Sequence, residues 1–206
     1  MVKATLHAFK KAGLKISPKK CSIATTQFKI LGINVDTDKK QIFLDELKAT
    51  AIIHWPKPSS LFELQSRLYS LIYWQKFIPG LKKVIYPLQD LLRSKKFDWT
   101  HLHDKSWTRV KTLIKLDLRL YQPDKNDQLL LFCDASKVSC SQILFAQNHE
   151  GEIKVVGANS KIFSYIDSLK SIYLKESISL VAGMKHFQSY MLANNNKVYI
   201  FTDAKS

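Results

Sequence analysis

The sequence predicts an α/β fold: a basic, mostly helical front followed by a sheet with one covering helix. Two patterns predict it. Between residues 60 and 118 apolar residues recur at helical spacing behind capping residues, whereas 129–133, 141–147, 153–158 and 198–201 are short apolar runs of strand length. With 206 residues and 46% hydrophobic content the chain can bury one large core or two small ones, and disorder is excluded as its default state.

Taken in order, Thr5 to Ala12 reads as the end of a helix stopped by Gly13, and Pro18 with its neighbouring lysines reads as a basic loop. Gln27 to Val35 and Gln41 to Leu44 read as a hairpin around the polar turn Asp36 to Lys40. A short helix from Leu47 to His54 is closed by Trp55-Pro56-Lys57-Pro58, a rigid elbow because two prolines in three residues cannot continue a helix. Ser60 to Glu63 has the spacing of a capping box and starts a helix to about Phe77, which Pro79-Gly80 ends. A further helix is expected at Ile85 to Leu92, and one from about Leu102 to Leu118 with Thr100 as its cap. After Tyr121-Gln122-Pro123 the pattern becomes strand, strand, strand, helix (Ser171 to Leu192), strand, with Asn194-Asn195-Asn196 ending the helix.

Charge is the strongest compositional signal. The 32 Lys and Arg outnumber the 17 Asp and Glu, a net of +15. Residues 1–121 hold 23 basic and 9 acidic residues (+14), and residues 122–206 hold 9 and 8 (+1). Clustered positive charge releases counterions on meeting phosphates, so a nucleic-acid partner is expected for the front; a solvated lysine-rich surface is the plainer alternative. No apolar run reaches the ~18 residues of a membrane span. Three cysteines (Cys21, Cys133, Cys140) form no disulfide framework and fit a reducing compartment. No secretory leader is visible, so an intracellular protein is expected.

Three acids in the back half stand where chemistry could use them. Asp134 follows the run 129–133, Asp203 follows 199–201, and Glu176 lies in the intervening helix. Acids at the ends of neighbouring strands, joined by one from a helix on the sheet, can converge. They then repel one another unless hard cations sit between them. Two Mg²⁺ about 4 Å apart would relieve that repulsion and stabilise the leaving oxygen of a phosphodiester. Spacing alone equally fits surface acids at element ends. His101 and His103 lack the partner ligands of a zinc site.

Thr5 to Val35 resembles Gypsy-type retroelement and retroviral reverse transcriptases just after their polymerase site, through Ala12-Gly13-Leu14-Lys15, Pro18-Lys19-Lys20-Cys21 and Leu31-Gly32. Ile53, Trp55-Pro56, Pro58, Leu64, Ser66, Leu68, Leu71 and Phe77-Ile78-Pro79 are similar to the thumb and connection of that family, as are Pro87-Leu88 and Phe97-Asp98-Trp99-Thr100. The back half resembles its ribonuclease H domain. Asp134-Ala135-Ser136 matches the DAS motif, Glu176 falls at the catalytic Glu counted back from Phe187 and Tyr190, and Thr202-Asp203 matches the TDHK segment.

The resemblance implies a partial palm hairpin in residues 1–54, a helical, basic thumb and connection in 55–121, and an incomplete ribonuclease H-like mixed sheet with a covering helix in 122–206. It implies Mg²⁺-dependent cleavage of RNA in RNA/DNA hybrids, with Asp134, Glu176 and Asp203 as catalytic residues and ligands for two Mg²⁺. It further implies an RNA/DNA hybrid or primer-template duplex as partner, and the rest of the polyprotein as a second. Lys19, Lys20, Leu31, Gly32, Lys82 and Lys83 are the expected nucleic-acid contacts. The polymerase aspartates of the family would lie before residue 1 and its fourth ribonuclease H carboxylate after residue 206. Residues 1–206 alone are therefore expected not to polymerise, and an inactive basic nucleic-acid-binding module is the rival reading. Departures from the family pattern are Ser139 and Ser141 at glycine positions, Gln142 in place of a small residue, and Ala204 in place of His. The serines are expected to restrict the backbone and Gln142 to disturb close packing.

Overall fold

The computed structural model describes residues 2–17, 21, 23, 25–115 and 119–203. Helix α1 (Val2–Lys11) ends as the sequence predicts, with Gly13 at φ +70°. The amide of Gly13 donates to the Lys10 carbonyl (3.1 Å) and that of Leu14 to Phe9 (3.0 Å), the bond pair of a Schellman stop. Strands β1 (Gln27–Ile30), β2 (Ile33–Asp36), β3 (Gln41–Leu44) and β4 (Arg119–Tyr121) form an antiparallel sheet in that order. The stretch expected as a single strand, Gln27 to Val35, is instead two strands turned at Leu31 (φ +49°) and Gly32 (φ +76°). Two successive left-handed residues match the twist of a two-residue hairpin, so the chain reverses there.

Helix α2 (Glu46–Ile53) leads into the Trp55-Pro56 elbow. Arg67 fixes this elbow by donating to the Pro56 carbonyl, and its guanidinium lies 6.0 Å from the Trp55 ring and 5.8 Å from that of Trp107. Helix α3 (Leu61–Tyr73) starts at the predicted cap: the Ser60 hydroxyl accepts from the Glu63 amide (3.2 Å), and the Glu63 carboxylate accepts from Ser59 (2.9 Å). The helix stops at Tyr73 rather than Phe77 and tightens into a 3₁₀ turn, Gln75–Phe77. Helix α4 (Leu81–Arg93) begins four residues earlier than expected, because Gly80 (φ +67°) lets the chain enter it directly. It carries Pro87 internally, which deprives the Lys83 carbonyl of its helical donor. Helix α5 (His101–Ile114) is boxed by Thr100 and His103. The expected continuation to Leu118 falls on residues 116–118, which lie outside the described ones. The main core of this front half is Leu64, Leu68, Leu71, Ile85, Leu88 and Val110, all buried. Each such side chain stabilises the fold by about 1.5–3 kcal/mol relative to exposure.

Among the described residues the second sheet holds four strands in the order β7 (Ile153–Ile162), β6 (Ser139–Gln147), β5 (Gln128–Ala135), β8 (Val198–Thr202). Neighbours are antiparallel except β5 and β8, which are parallel. A short helix α6 (Tyr165–Ser168), which the sequence pattern did not predict, precedes α7 (Ile172–His186). The covering helix is not continuous to Leu192. It breaks at Phe187, whose ring is buried in the second core with Leu129, Leu131 and Leu144, and resumes as α8 (Gln188–Ala193).

The asparagine run does more than end a helix. Asn195 donates its amide to the Lys125 carbonyl (2.8 Å), Asn194 its side chain to Asp127 (2.9 Å), and Asn196 its side chain to Asn126 (2.6 Å). These bonds fasten the entry of β8 to the entry of β5 and so set the parallel register. The two halves meet where Gln75 donates to the Ser160 carbonyl (2.8 Å) and the Lys82 amide donates to the Ser160 hydroxyl (3.2 Å).

Candidate active site

Strand register builds the site. On β5 the side chains of Leu129, Leu131 and Cys133 turn into the core, while Phe132 and Asp134 are exposed. Cys133 pairs with Thr202 of β8, so Asp134 and Asp203, one residue further along, stand side by side at the ends of two parallel strands. Glu176, five residues after the α7 cap Ser171, reaches the same point from the helix. Carboxylate oxygens of Asp134, Glu176 and Asp203 all lie within 4.8 Å of one another.

The three acids are held differently. Asp134 and Asp203 are exposed, whereas Glu176 is buried and tied to both strands. Its Oε1 accepts from the Ala135 amide (3.0 Å) and its Oε2 from the Thr202 hydroxyl (3.2 Å). Burial pushes the Glu176 carboxyl above its ordinary range, and the neighbouring charges of Asp203 and Asp134 push the same way; the Thr202 and Ala135 hydrogen bonds oppose them. Three clustered oxygen donors, one destabilised by like charge, suit a hard divalent cation.

The cluster opens onto a groove of about 690 Å³ lined by Pro79, Gly80, Lys83, Phe132, Asp134 and Asp203. Phe132 and Phe201 stack there with centroids 4.6 Å apart, and Phe145 meets Phe132 edge-on at 5.4 Å. One wall is thus the sheet bearing the acids, and the other is the start of α4 from the front half.

Residues 99–200 match the family described as the RNase H-like domain found in reverse transcriptase. Residues 99–200 are thus an RNase H-like domain of the kind found in reverse transcriptase. The Tf2-3 and Tf2-4 transposon polyproteins of Schizosaccharomyces pombe are each 26% identical to it over 206 residues, which is 100% of this chain and 15% of either polyprotein. The foamy viral protease-reverse transcriptase solved in complex with an RNA/DNA hybrid shares the fold, with a TM-score of 0.73 and 19% identity over 100% of this chain and 28% of the other. The same viral protein solved with double-stranded DNA gives 0.72 and 20%, covering 43% of its chain. The chain therefore spans a minor part of each protein it matches.

Of the departures from the family pattern, Ala204 lies outside the described residues, and the other three are accommodated in this RNase H-like domain. Ser139 and Ser141 lie in the extended strand β6 without a left-handed backbone, so neither needs the freedom of glycine. Ser139 also closes the turn after the DAS motif, accepting at its carbonyl from the Ser136 amide (2.8 Å). Gln142 is fully buried yet satisfied at both ends, by Ser179 (2.8 Å) and Asn159 (2.9 Å).

The expected nucleic-acid contacts separate. Lys19 and Lys20 lie outside the described residues. Leu31 and Gly32 form the tip of the first hairpin, with Leu31 79% exposed. They face α3 across a groove of about 860 Å³ that also has Lys48, Tyr69 and Tyr73 on its walls. The Tyr73 hydroxyl donates to the Leu31 carbonyl (3.0 Å) and fixes the width there. Lys83 is exposed beside the carboxylates. Lys82 is half-buried, and burial pushes its ammonium down, so of the pair only Lys83 is exposed to the groove. Sequence reasoning missed Thr202 and Ser179 as supports of the cluster, since neither residue type carries a signal without its partner.

Proposed function

We propose that this chain cuts the RNA strand of RNA/DNA hybrids with Asp134, Glu176 and Asp203 holding two Mg²⁺. The observation that carries the reading is the convergence of these three carboxylates within 4.8 Å at the mouth of a groove that Lys83 also lines. Bound Mg²⁺ would supply charge neutralisation and polarisation of the scissile phosphodiester. The side chains of this chain do the rest. Asp134 and Asp203 face the groove from strand ends, and Glu176 is oriented by Ala135 and Thr202 so that its carboxylate points at the other two. Lys83 offers a cation to a backbone phosphate beside the cut. The groove between Leu31-Gly32 and α3 is the candidate track for the rest of the duplex, and contacts made there to the phosphate backbone would carry little sequence preference. The foamy viral complexes with RNA/DNA hybrid and with double-stranded DNA support a duplex as the ligand. The Gypsy-type assignment rests on the same resemblance.

The test is cleavage of an end-labelled RNA/DNA hybrid by the purified chain in Mg²⁺, with Asp134→Asn as control. The expected result is cleavage that the substitution abolishes while hybrid binding persists. Binding without cleavage by the unsubstituted chain would favour the rival, an inactive duplex-binding module, for which the +14 of residues 1–121 is the supporting observation.

A further inference from the structure

A hydrogen-bond chain, buried at its centre, links the front half of the molecule to the carboxylate cluster. It starts at Gln75 in the 3₁₀ turn, whose Nε2 donates to Asn159 Oδ1 on β7 (3.2 Å). Asn159 Nδ2 donates to Gln142 Oε1 on β6 (2.9 Å), and Gln142 Nε2 donates to Ser179 Oγ on α7 (2.8 Å). Ser179 Oγ then donates to the carbonyl of Asp134 on β5 (3.0 Å). Every bond runs in the same sense, donor to acceptor from Gln75 to Asp134, so each polarises the next. Reversing the Asn159 amide, which sits between two other amides, would set like atoms against each other at both of its bonds.

The last members of the chain bear on the cluster. Ser179 lies three residues after Glu176, on the same side of α7. The peptide group joining Asp134 to Ala135 is gripped twice by this helix, its carbonyl by Ser179 and its N–H by Glu176. The separation of the Asp134 and Glu176 carboxylates therefore depends on where Ser179 is held. Gln142 and Ser179 are fully buried, and Gly183 is what admits Gln142: a Cβ at residue 183 would lie 2.9 Å from Gln142 Cγ.

We infer that Gln142 and Ser179 are positioning residues for the carboxylate cluster, and that Gln75 makes docking of the front half part of that positioning. This rests on the metal-centre reading above, but one arm of its test does not. The first readout is hydrogen exchange of the Ala135 amide in the metal-free protein, corrected for global stability. The second is Mn²⁺ affinity. Ser179→Ala and Gln142→Leu are expected to raise Ala135 exchange and to lower Mn²⁺ affinity about 10-fold or more, the usual effect of losing a ligand-supporting bond. Gln75→Leu, at the far end and half-buried, is expected to act in the same direction in the unsubstituted chain and to add nothing in the Ser179→Ala background. The inference is overturned if Gln75→Leu lowers thermal stability alone, or if its effect on affinity is the same in both backgrounds. Mn²⁺ binding that is absent, or unchanged by Asp134→Asn, would sink the metal-centre reading instead, and Ala135 exchange would still decide the inference.

Discussion

Glu176 carries the highest electrostatic cost of the three acids, since it is buried beside two other carboxylates. Its carboxyl sits above the ordinary value of 4.5, so the folded state holds its proton more tightly than the unfolded chain does. The resulting stabilisation is complete below that ordinary value and is lost as pH rises through the folded one. Divalent cations bind the deprotonated form. The rise in melting temperature produced by Mg²⁺ is therefore expected to grow with pH across this window and to vanish in Asp134→Asn, which a thermal-shift titration at several pH values would read. Thr202 holds the Glu176 carboxyl down. Thr202→Val should cost about 1 kcal/mol in denaturant unfolding and displace the Mg²⁺ effect to higher pH. Asp134 and Asp203 were legible in the sequence because each follows an apolar run of strand length, whereas Glu176, inside a helix, was placed by the family resemblance, counted back from Phe187 and Tyr190. Thr202 and Ser179 were not, because a hydroxyl announces nothing until the strand or helix beside it is in place.

Among the elements, those with local signals came through from sequence: the Ser60 cap and the Gly13 stop are fixed by their own neighbours, and the elbow is marked by its two prolines although Arg67 from α3 holds it. The hairpin at Leu31-Gly32 was hidden because leucine rarely takes a left-handed backbone, and the only mark of the turn is a one-residue shift in alternation, from Phe28 and Ile30 to Ile33 and Val35. Strand β4 is three residues long and pairs with β3 nearly eighty residues earlier, which no local pattern encodes. The break between α7 and α8 belongs to Phe187 turning into the second core. Two glycines give element-scale tests. Gly32→Ala places a Cβ on a residue at φ +76° and against Lys48 Nζ; the flexible lysine can move, but the backbone strain should cost about 1 kcal/mol in unfolding and loosen the groove against α3. Gly183→Ala drives a methyl into Gln142, Cys133 and Leu131. It is expected to cost about 1–3 kcal/mol by overpacking, measured by the same denaturant titration.

At the scale of the whole molecule, charge and chemistry are divided: +14 lies in residues 1–121, and the carboxylate cluster lies in the nearly neutral remainder. A duplex held by the front would reach the acids through the groove that α4 and the second sheet share. Hybrid binding should then weaken steeply with salt, and Lys83→Ala should reduce the slope of log K against log salt by about one while leaving the fold unchanged. This division was legible from composition, whereas the seam between the halves, built from Gln75, Lys82 and Ser160, required the tertiary structure. The central claim is that Asp134, Glu176 and Asp203 together hold divalent cations, and anomalous diffraction from Mn²⁺-soaked crystals tests it most directly. Mn²⁺ peaks within coordination distance of all three carboxylates, absent from Asp134→Asn crystals, are the predicted result. A cluster with its side chains in place and no Mn²⁺ peak at saturating metal would contradict it.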